Sequence, residues 1–118
     1  NIIPDVQLPS NPIWRRLDST ALTRIFSNII NNAIKYTDGD FSVALDEDGS
    51  ITFSNTAKEL NTVEVGKLFD RFYTVDSARK STGLGLSIAK LLTERMNGTI
   101  RAEYISDKLN IVVSFPSK

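Results

Sequence analysis

The sequence predicts an α/β two-layer sandwich: a mixed, mostly antiparallel sheet covered on one face by about three helices. Three observations lead there. Two long stretches, Leu22 to Ala33 and Ile88 to Met96, repeat apolar residues at the helical period. Four shorter stretches alternate apolar and polar residues, as half-buried strands do. Turn residues then join those strands in pairs, through Glu47-Asp48-Gly49-Ser50 and Ser106-Asp107-Lys108. With 118 residues, of which 41% are hydrophobic, residues 1–118 form one domain able to bury one core.

The elements follow in order. Pro4, Pro9 and Pro12 lack a backbone donor, so any strand among the first twelve residues is short or at an edge. Ile13 to Leu17 reads as one more strand, with Trp14 and Arg15 on opposite faces. Asp18 or Ser19 caps the first long helix, which runs to about Tyr36 and stops at Asp38-Gly39-Asp40. Phe41, Val43 and Leu45 give the first hairpin strand; Ile51, Phe53 and Asn55 give its return. Asn61 or Thr62 caps a short helix leading into Leu68-Phe69. Thr74 to Thr82 is polar and aperiodic, which predicts a loop, mobile until a ligand orders it. Gly83-Leu84-Gly85 opens the second long helix, with Ile88, Leu91, Leu92 and Met96 as its inner stripe and Asn97-Gly98 as its end. Ile100, Ala102 and Tyr104, then Leu109, Ile111, Val113 and Phe115, form the last hairpin.

Counts of charged and special residues exclude several functions. Fourteen basic and fourteen acidic residues cancel, which argues against nucleic-acid binding through a general basic surface. No histidine is present, so neither a Ser-His-Asp triad nor a His metal ligand is available. The absence of cysteine fits a reducing compartment. No apolar run reaches the ~20 residues that span a bilayer, and Asn1 to Ser10 does not read as a signal peptide.

Three polar features stand out from this frame. On the first helix Asn28, Asn32 and Lys35 fall within roughly 60° of one another, along the edge of the apolar arc. Asn is a mediocre helix former. Taken alone, the line reads equally as a solvated helix edge or as a binding surface. Asn55 takes an inward position on its strand; an unpaired buried amide costs ~1–3 kcal/mol, so it needs a partner, either a neighbouring turn or a ligand. Gly83 and Gly85 open a helix, where free amides and the positive end of the helix dipole suit phosphate oxygens, with Arg79 just upstream. Helix N-termini also use glycine for other reasons. Phe69, Phe72 and Tyr73 read first as packing residues.

Together these motifs resemble the ATP-binding domain of sensor histidine kinases, within the superfamily of gyrase-type, chaperone-type and mismatch-repair ATPases that share the Bergerat fold. Asn28-Ile-Ile-Asn-Asn32-Ala33-Ile-Lys35-Tyr36 matches the family's N box, Leu68-Phe69-Asp70-Arg71-Phe72-Tyr73 its F box, and Thr82-Gly83-Leu84-Gly85-Leu86 most of its second glycine box. The match runs from about Asp18 to Pro116 with the motifs in the family's order. The resemblance implies ATP and Mg²⁺ as ligands. It assigns Asn32 to Mg²⁺, with Asn28 in support, Lys35 and Arg79 to the phosphates, and Tyr36 and Asn55 to the base. Leu60, Tyr73, Thr82, Gly83, Leu84, Gly85 and Leu86 complete the implied nucleotide contacts.

The implied reaction passes the ATP γ-phosphoryl to a histidine on a separate dimerisation and phosphoacceptor domain of the same full-length kinase, with a response regulator as the indirect partner. No catalytic base is assigned within this chain. With no histidine of its own, the chain is expected to be an excised catalytic domain, monomeric in isolation. It is expected on the cytoplasmic side of a full-length protein anchored in the membrane. Departures from the pattern motivate a rival, a nucleotide-binding regulatory module without kinase activity; an interaction domain that kept the fold and lost the nucleotide is a third possibility. Asn55-Thr56-Ala57-Lys58-Glu59 stands where the family has Asp-x-Gly-x-Gly, so Asn replaces the Asp and both glycines are gone. Ser81 replaces a further glycine, Asn97 another, and Lys108 to Ile111 lacks the usual Gly-Thr.

Overall fold

The computed structural model describes residues 2–71 and 84–117. The chain order is β1 (Asp5–Gln7), α1 (Ser19–Tyr36), β2 (Ser42–Leu45), β3 (Ile51–Thr56), α2 (Thr62–Val65), α3 (Gly85–Arg95), β4 (Thr99–Ile105) and β5 (Lys108–Ser114). The strands form one sheet in the order β1-β2-β3-β5-β4. β1 runs parallel to β2, and the other three pairings are antiparallel, so the sheet is mixed and mostly antiparallel as expected. The expected Thr74–Thr82 loop lies outside the described residues.

Local chemistry sets the element ends. Asp18 Oδ1 accepts from Thr20 N at 2.9 Å and Ala21 N at 3.3 Å, which satisfies two of the first free amides of α1. Asn61 Oδ1 does the same for α2, accepting from Glu64 N at 2.8 Å. In the β4–β5 turn Ser106 and Asp107 both have positive φ, 51° and 66°, as a tight two-residue hairpin requires. The end of α3 divides two tasks between Asn97 and Gly98. Asn97 takes the left-handed backbone at φ 64°. Gly98 sits so close to β5 that a Cβ would lie 2.7 Å from both Phe115 Cδ1 and the Ser114 carbonyl oxygen.

The core lies between the sheet and the helices. Ile25, Ile29 and Ala33 of α1 are buried against Phe53 of β3 and Leu109, Ile111 and Val113 of β5. Phe26 and Phe53 meet with ring centroids 5.6 Å apart at 58°, a tilted geometry aromatic pairs favour. The predicted apolar arc of α1 is therefore the face that packs.

Two expectations are corrected. Ile13 to Leu17 is not a strand; the only N-terminal strand among the described residues is β1, three residues at the sheet edge, as the prolines imply. The segment is held instead by a side chain. The Arg15 guanidinium donates to the carbonyls of Phe115 (3.2 Å), Trp14 (2.8 Å) and Asp48 (2.9 Å), leaving Trp14 82% exposed. On α3 the buried residues are Leu86, Ala89 and Thr93, with Leu92 and Met96 packed behind them; Leu91 is 49% exposed. Periodicity mistook the stripe because Thr93 is polar. Its hydroxyl donates to Ala89 O at 2.7 Å, which removes the cost of burying it. Among the described residues no helix is long and apolar enough to cross a membrane.

Candidate functional site

Three elements bring the polar features to the layer between sheet and helices. α1 carries Asn28, Asn32, Lys35 and Tyr36. The Asn32 Oδ1 is buried and has no hydrogen-bond partner; it is the only such side-chain atom among the described residues. The Lys35 Nζ lies 4.9 Å from the Tyr36 ring centroid, a cation–π contact at the helix end.

The N-terminus of α3 lies beside this line. A Cβ on Gly85 would meet the Asn28 Cβ at 3.9 Å, so Asn28 and Gly85 are neighbours across the α1–α3 contact. Leu84 is the N-cap of α3 and has no side-chain acceptor for the helix amides. Leu86 of α3 and Leu60 of the loop after β3 are core residues, 5% and 7% exposed. Tyr73, Arg79, Thr82 and Gly83 lie outside the described residues.

Asn55 comes from β3, opposite Leu109 and two residues beyond Phe53, so it faces the α1 layer. It is 2% exposed, and its Nδ2 lies 3.4 Å from the Thr56 carbonyl oxygen, a long bond. The inward turn of Asn55 expected from strand alternation is what the structure has.

Sequence reasoning missed a cluster around the segment after Asn55. The Asp40 carboxylate accepts from the Thr56 amide at 2.8 Å and the Thr56 hydroxyl at 2.9 Å, and Asp38 Oδ2 accepts from Lys58 N at 2.9 Å. Burial alone would raise the Asp40 pKa. The bonds from Thr56, joined by one from Thr37, outweigh it and hold the carboxyl below its ordinary value. On the other side the Tyr104 hydroxyl donates to Ala57 O at 2.6 Å. Desolvation, then the negative charges of Asp107, Asp38 and Glu64, push its pKa up. The available signal was the composition of Thr37-Asp38-Gly39-Asp40, which reads only as a helix stop when its distant partners are unknown.

The residues present fit a hard cation. A carboxamide oxygen is a proper ligand for Mg²⁺, which binds through few protein groups and the phosphates of its nucleotide. Asn32 offers such an oxygen, buried and unsatisfied. No group of three His, Cys, Asp or Glu side chains among the described residues could hold a metal, so the ion would depend on a ligand of this sparse kind.

Known proteins resemble this chain in sequence and in fold. The family model for the histidine kinase-, DNA gyrase B- and HSP90-like ATPase matches residues 17–117. The sensor histidine kinase WalK of Bacillus subtilis is 35% identical over 123 residues, covering 94% of this chain and 20% of the relative. The sensor protein kinase WalK of Staphylococcus haemolyticus is 34% identical over 122 residues, covering 93% and 20%. The chain thus spans about a fifth of the length of these relatives. A mycobacterial sensor histidine kinase, MprB, superposes with a TM-score of 0.81 at 22% identity, over 95% of this chain and 79% of that one, which shows a shared fold. A family match across nearly the whole chain, relatives above 30% identity and the same sheet-and-helix layers lead to one conclusion: the chain belongs to the histidine kinase-, DNA gyrase B- and HSP90-like ATPase family.

Proposed function

We propose that this chain is the ATP-binding catalytic domain of a two-component sensor histidine kinase. It would act on a dimerisation and phosphoacceptor domain of the same full-length protein, on the cytoplasmic side of a membrane-anchored sensor. The observation that carries the nucleotide reading is the buried, unpartnered Asn32 oxygen on a family helix beside the start of α3. Each side chain then has a task. Asn32 holds Mg²⁺, with Asn28 beside it. Bound Mg²⁺ neutralises charge on the phosphate oxygens. Lys35 and Arg79 add positive charge, and the amides of Gly83, Leu84, Gly85 and Leu86 take phosphate oxygens, with Thr82 alongside. Tyr36, Asn55, Leu60 and Tyr73 surround the base. In the transfer the γ-phosphorus–oxygen bond to ADP breaks and a phosphorus–nitrogen bond to the acceptor imidazole forms. The domain contributes positioning and electrostatics, the main source of rate in such transfers.

Titration of a non-hydrolysable ATP analogue with and without Mg²⁺ tests the binding. Phosphate transfer to the separately supplied phosphoacceptor domain tests the kinase reading; absence of binding in both titrations refutes both. A second reading, a regulatory nucleotide-binding module, is favoured by one observation: Thr56-Ala57-Lys58-Glu59 is a tied-down segment without glycine. Binding without transfer selects it.

A further inference from the structure

The backbone after Asn55 is held from two sides by elements far away in sequence. From the α1–β2 connection, Asp40 Oδ1 accepts from Thr56 N at 2.8 Å, Asp40 Oδ2 from the Thr56 hydroxyl at 2.9 Å, and Asp38 Oδ2 from Lys58 N at 2.9 Å. The Asp38 amide donates to Thr56 O at 2.8 Å. From the β4–β5 hairpin, Asp107 O accepts from Ala57 N at 2.8 Å, and the Tyr104 hydroxyl donates to Ala57 O. Three successive amides, of Thr56, Ala57 and Lys58, are therefore committed. The Thr37 hydroxyl in turn accepts from Gly39 N at 3.1 Å and Asp40 N at 3.0 Å, which fixes the short loop that carries both carboxylates.

Two links tie this clamp to the site. The Thr56 carbonyl bonded by the Asp38 amide is the same oxygen that Asn55 Nδ2 approaches at 3.4 Å, so the clamp acts on the group that orients the Asn55 amide. Asp38 also follows Tyr36 by two residues, so the clamp joins the helix of Asn28 and Asn32 to the strand of Asn55. Carboxylate bonds to backbone amides are charge-assisted and stronger than neutral ones. A loop held this way has met its ordering cost in folding and does not meet it again on binding.

We propose that Asp38 and Asp40 are positioning residues for base recognition: they fix the backbone of residues 56–58 and so present Asn55 to the base from a preformed wall. This rests on the ATP-site reading above. In this chain the wall replaces the glycine-containing segment that the family pattern has at the same place.

The test compares wild type with Asp40→Ala, Asp40→Asn and Thr56→Val by calorimetric titration of non-hydrolysable ATP and GTP analogues, well below each melting point. Asp40→Ala should lose about tenfold in affinity for the ATP analogue, because the freed segment must then be ordered on binding. The factor should be the same with and without Mg²⁺, because the Asn32 end is untouched, and the preference for ATP over GTP should narrow. Asp40→Asn keeps one oxygen acceptor and should recover part of the loss. Thr56→Val, the mildest change, should move affinity in the same direction by a smaller factor. A lower melting point with wild-type affinity and base preference in all three variants overturns the proposal and leaves a merely structural clamp. If Asp40→Ala does not fold, Thr56→Val alone decides. If wild type binds neither analogue, the ATP-site reading falls, a result distinct from variants that bind as wild type does.

Discussion

Replacing Asn32 by Ala should stabilise the free domain while weakening Mg²⁺-dependent binding, two effects of opposite sign from one side chain. The magnitude follows from its oxygen. A buried polar atom without a partner costs about 1–3 kcal/mol, and Asn32 Oδ1 is such an atom. Helix propensity adds roughly half a kcal/mol in favour of Ala within α1. Against this, truncation loses about 1 kcal/mol of apolar and packing contact. The balance is a gain of roughly 0.5–2.5 kcal/mol. For a chain of 118 residues, unfolding entropy of about 2.1 cal/mol/K per residue converts 1 kcal/mol to roughly 4 °C, so the melting point should rise by roughly 2–10 °C. In calorimetric titration with an ATP analogue, affinity at saturating Mg²⁺ should fall by at least about tenfold, with little change when Mg²⁺ is chelated. A melting point lowered by several degrees would show that the oxygen is satisfied in the fold. Unchanged affinity with Mg²⁺ would remove Asn32 from the metal.

Gly98→Ala should cost about 1–3 kcal/mol in urea unfolding, because its Cβ would meet the Ser114 carbonyl at 2.7 Å and backbone yields little; wild-type stability would mean that the α3–β4 connection can shift. Asp40 has a depressed pKa in the fold, so its contribution is fully present above its unfolded value of about 3.9 and is lost as pH falls through the lower folded value. The stability gap between wild type and Asp40→Asn should therefore hold at neutral pH and close as pH falls below the unfolded value of about 3.9 in urea melts, and a constant gap would refute the assignment. Asn55→Asp should sharpen ATP over GTP by roughly 1–2 kcal/mol through a charge-assisted bond to the adenine amino group, while lowering free-domain stability, since a 2% exposed carboxylate would then face the Thr56 carbonyl. Competition titration and thermal melts read the two effects, and equal discrimination in both proteins would make Asn55 a strand-end residue only.

Elements governed by local rules were legible in the sequence. Asp18 as cap, the apolar arc of α1, the inward turn of Asn55 and the Ser106-Asp107 turn all follow from residues within one or two turns of one another. What escaped depends on distant partners. Ile13 to Leu17 has a strand's pattern, yet Arg15 finds carbonyls 33 and 100 residues away and leaves the segment irregular. Thr93 is polar by composition and 0% exposed, and a carbonyl one turn back satisfies it. Asp38 and Asp40 read as punctuation, and only the fold sets them against Thr56 and Lys58.

The same distinction separates structural from functional departures. Natural sequences break local rules mostly at sites that do something else. Arg15 breaks the strand pattern, but its guanidinium is met by three carbonyls, so the departure is explained within the fold. Thr93 likewise is settled by one bond. Asn32 is different: its oxygen is buried without a partner in the middle of an otherwise sound helix. Such an oxygen is an acceptor open to a positive group. The fold satisfies Arg15 and Thr93 and leaves Asn32 unsatisfied, so of the three departures only Asn32 bears on the proposed nucleotide site.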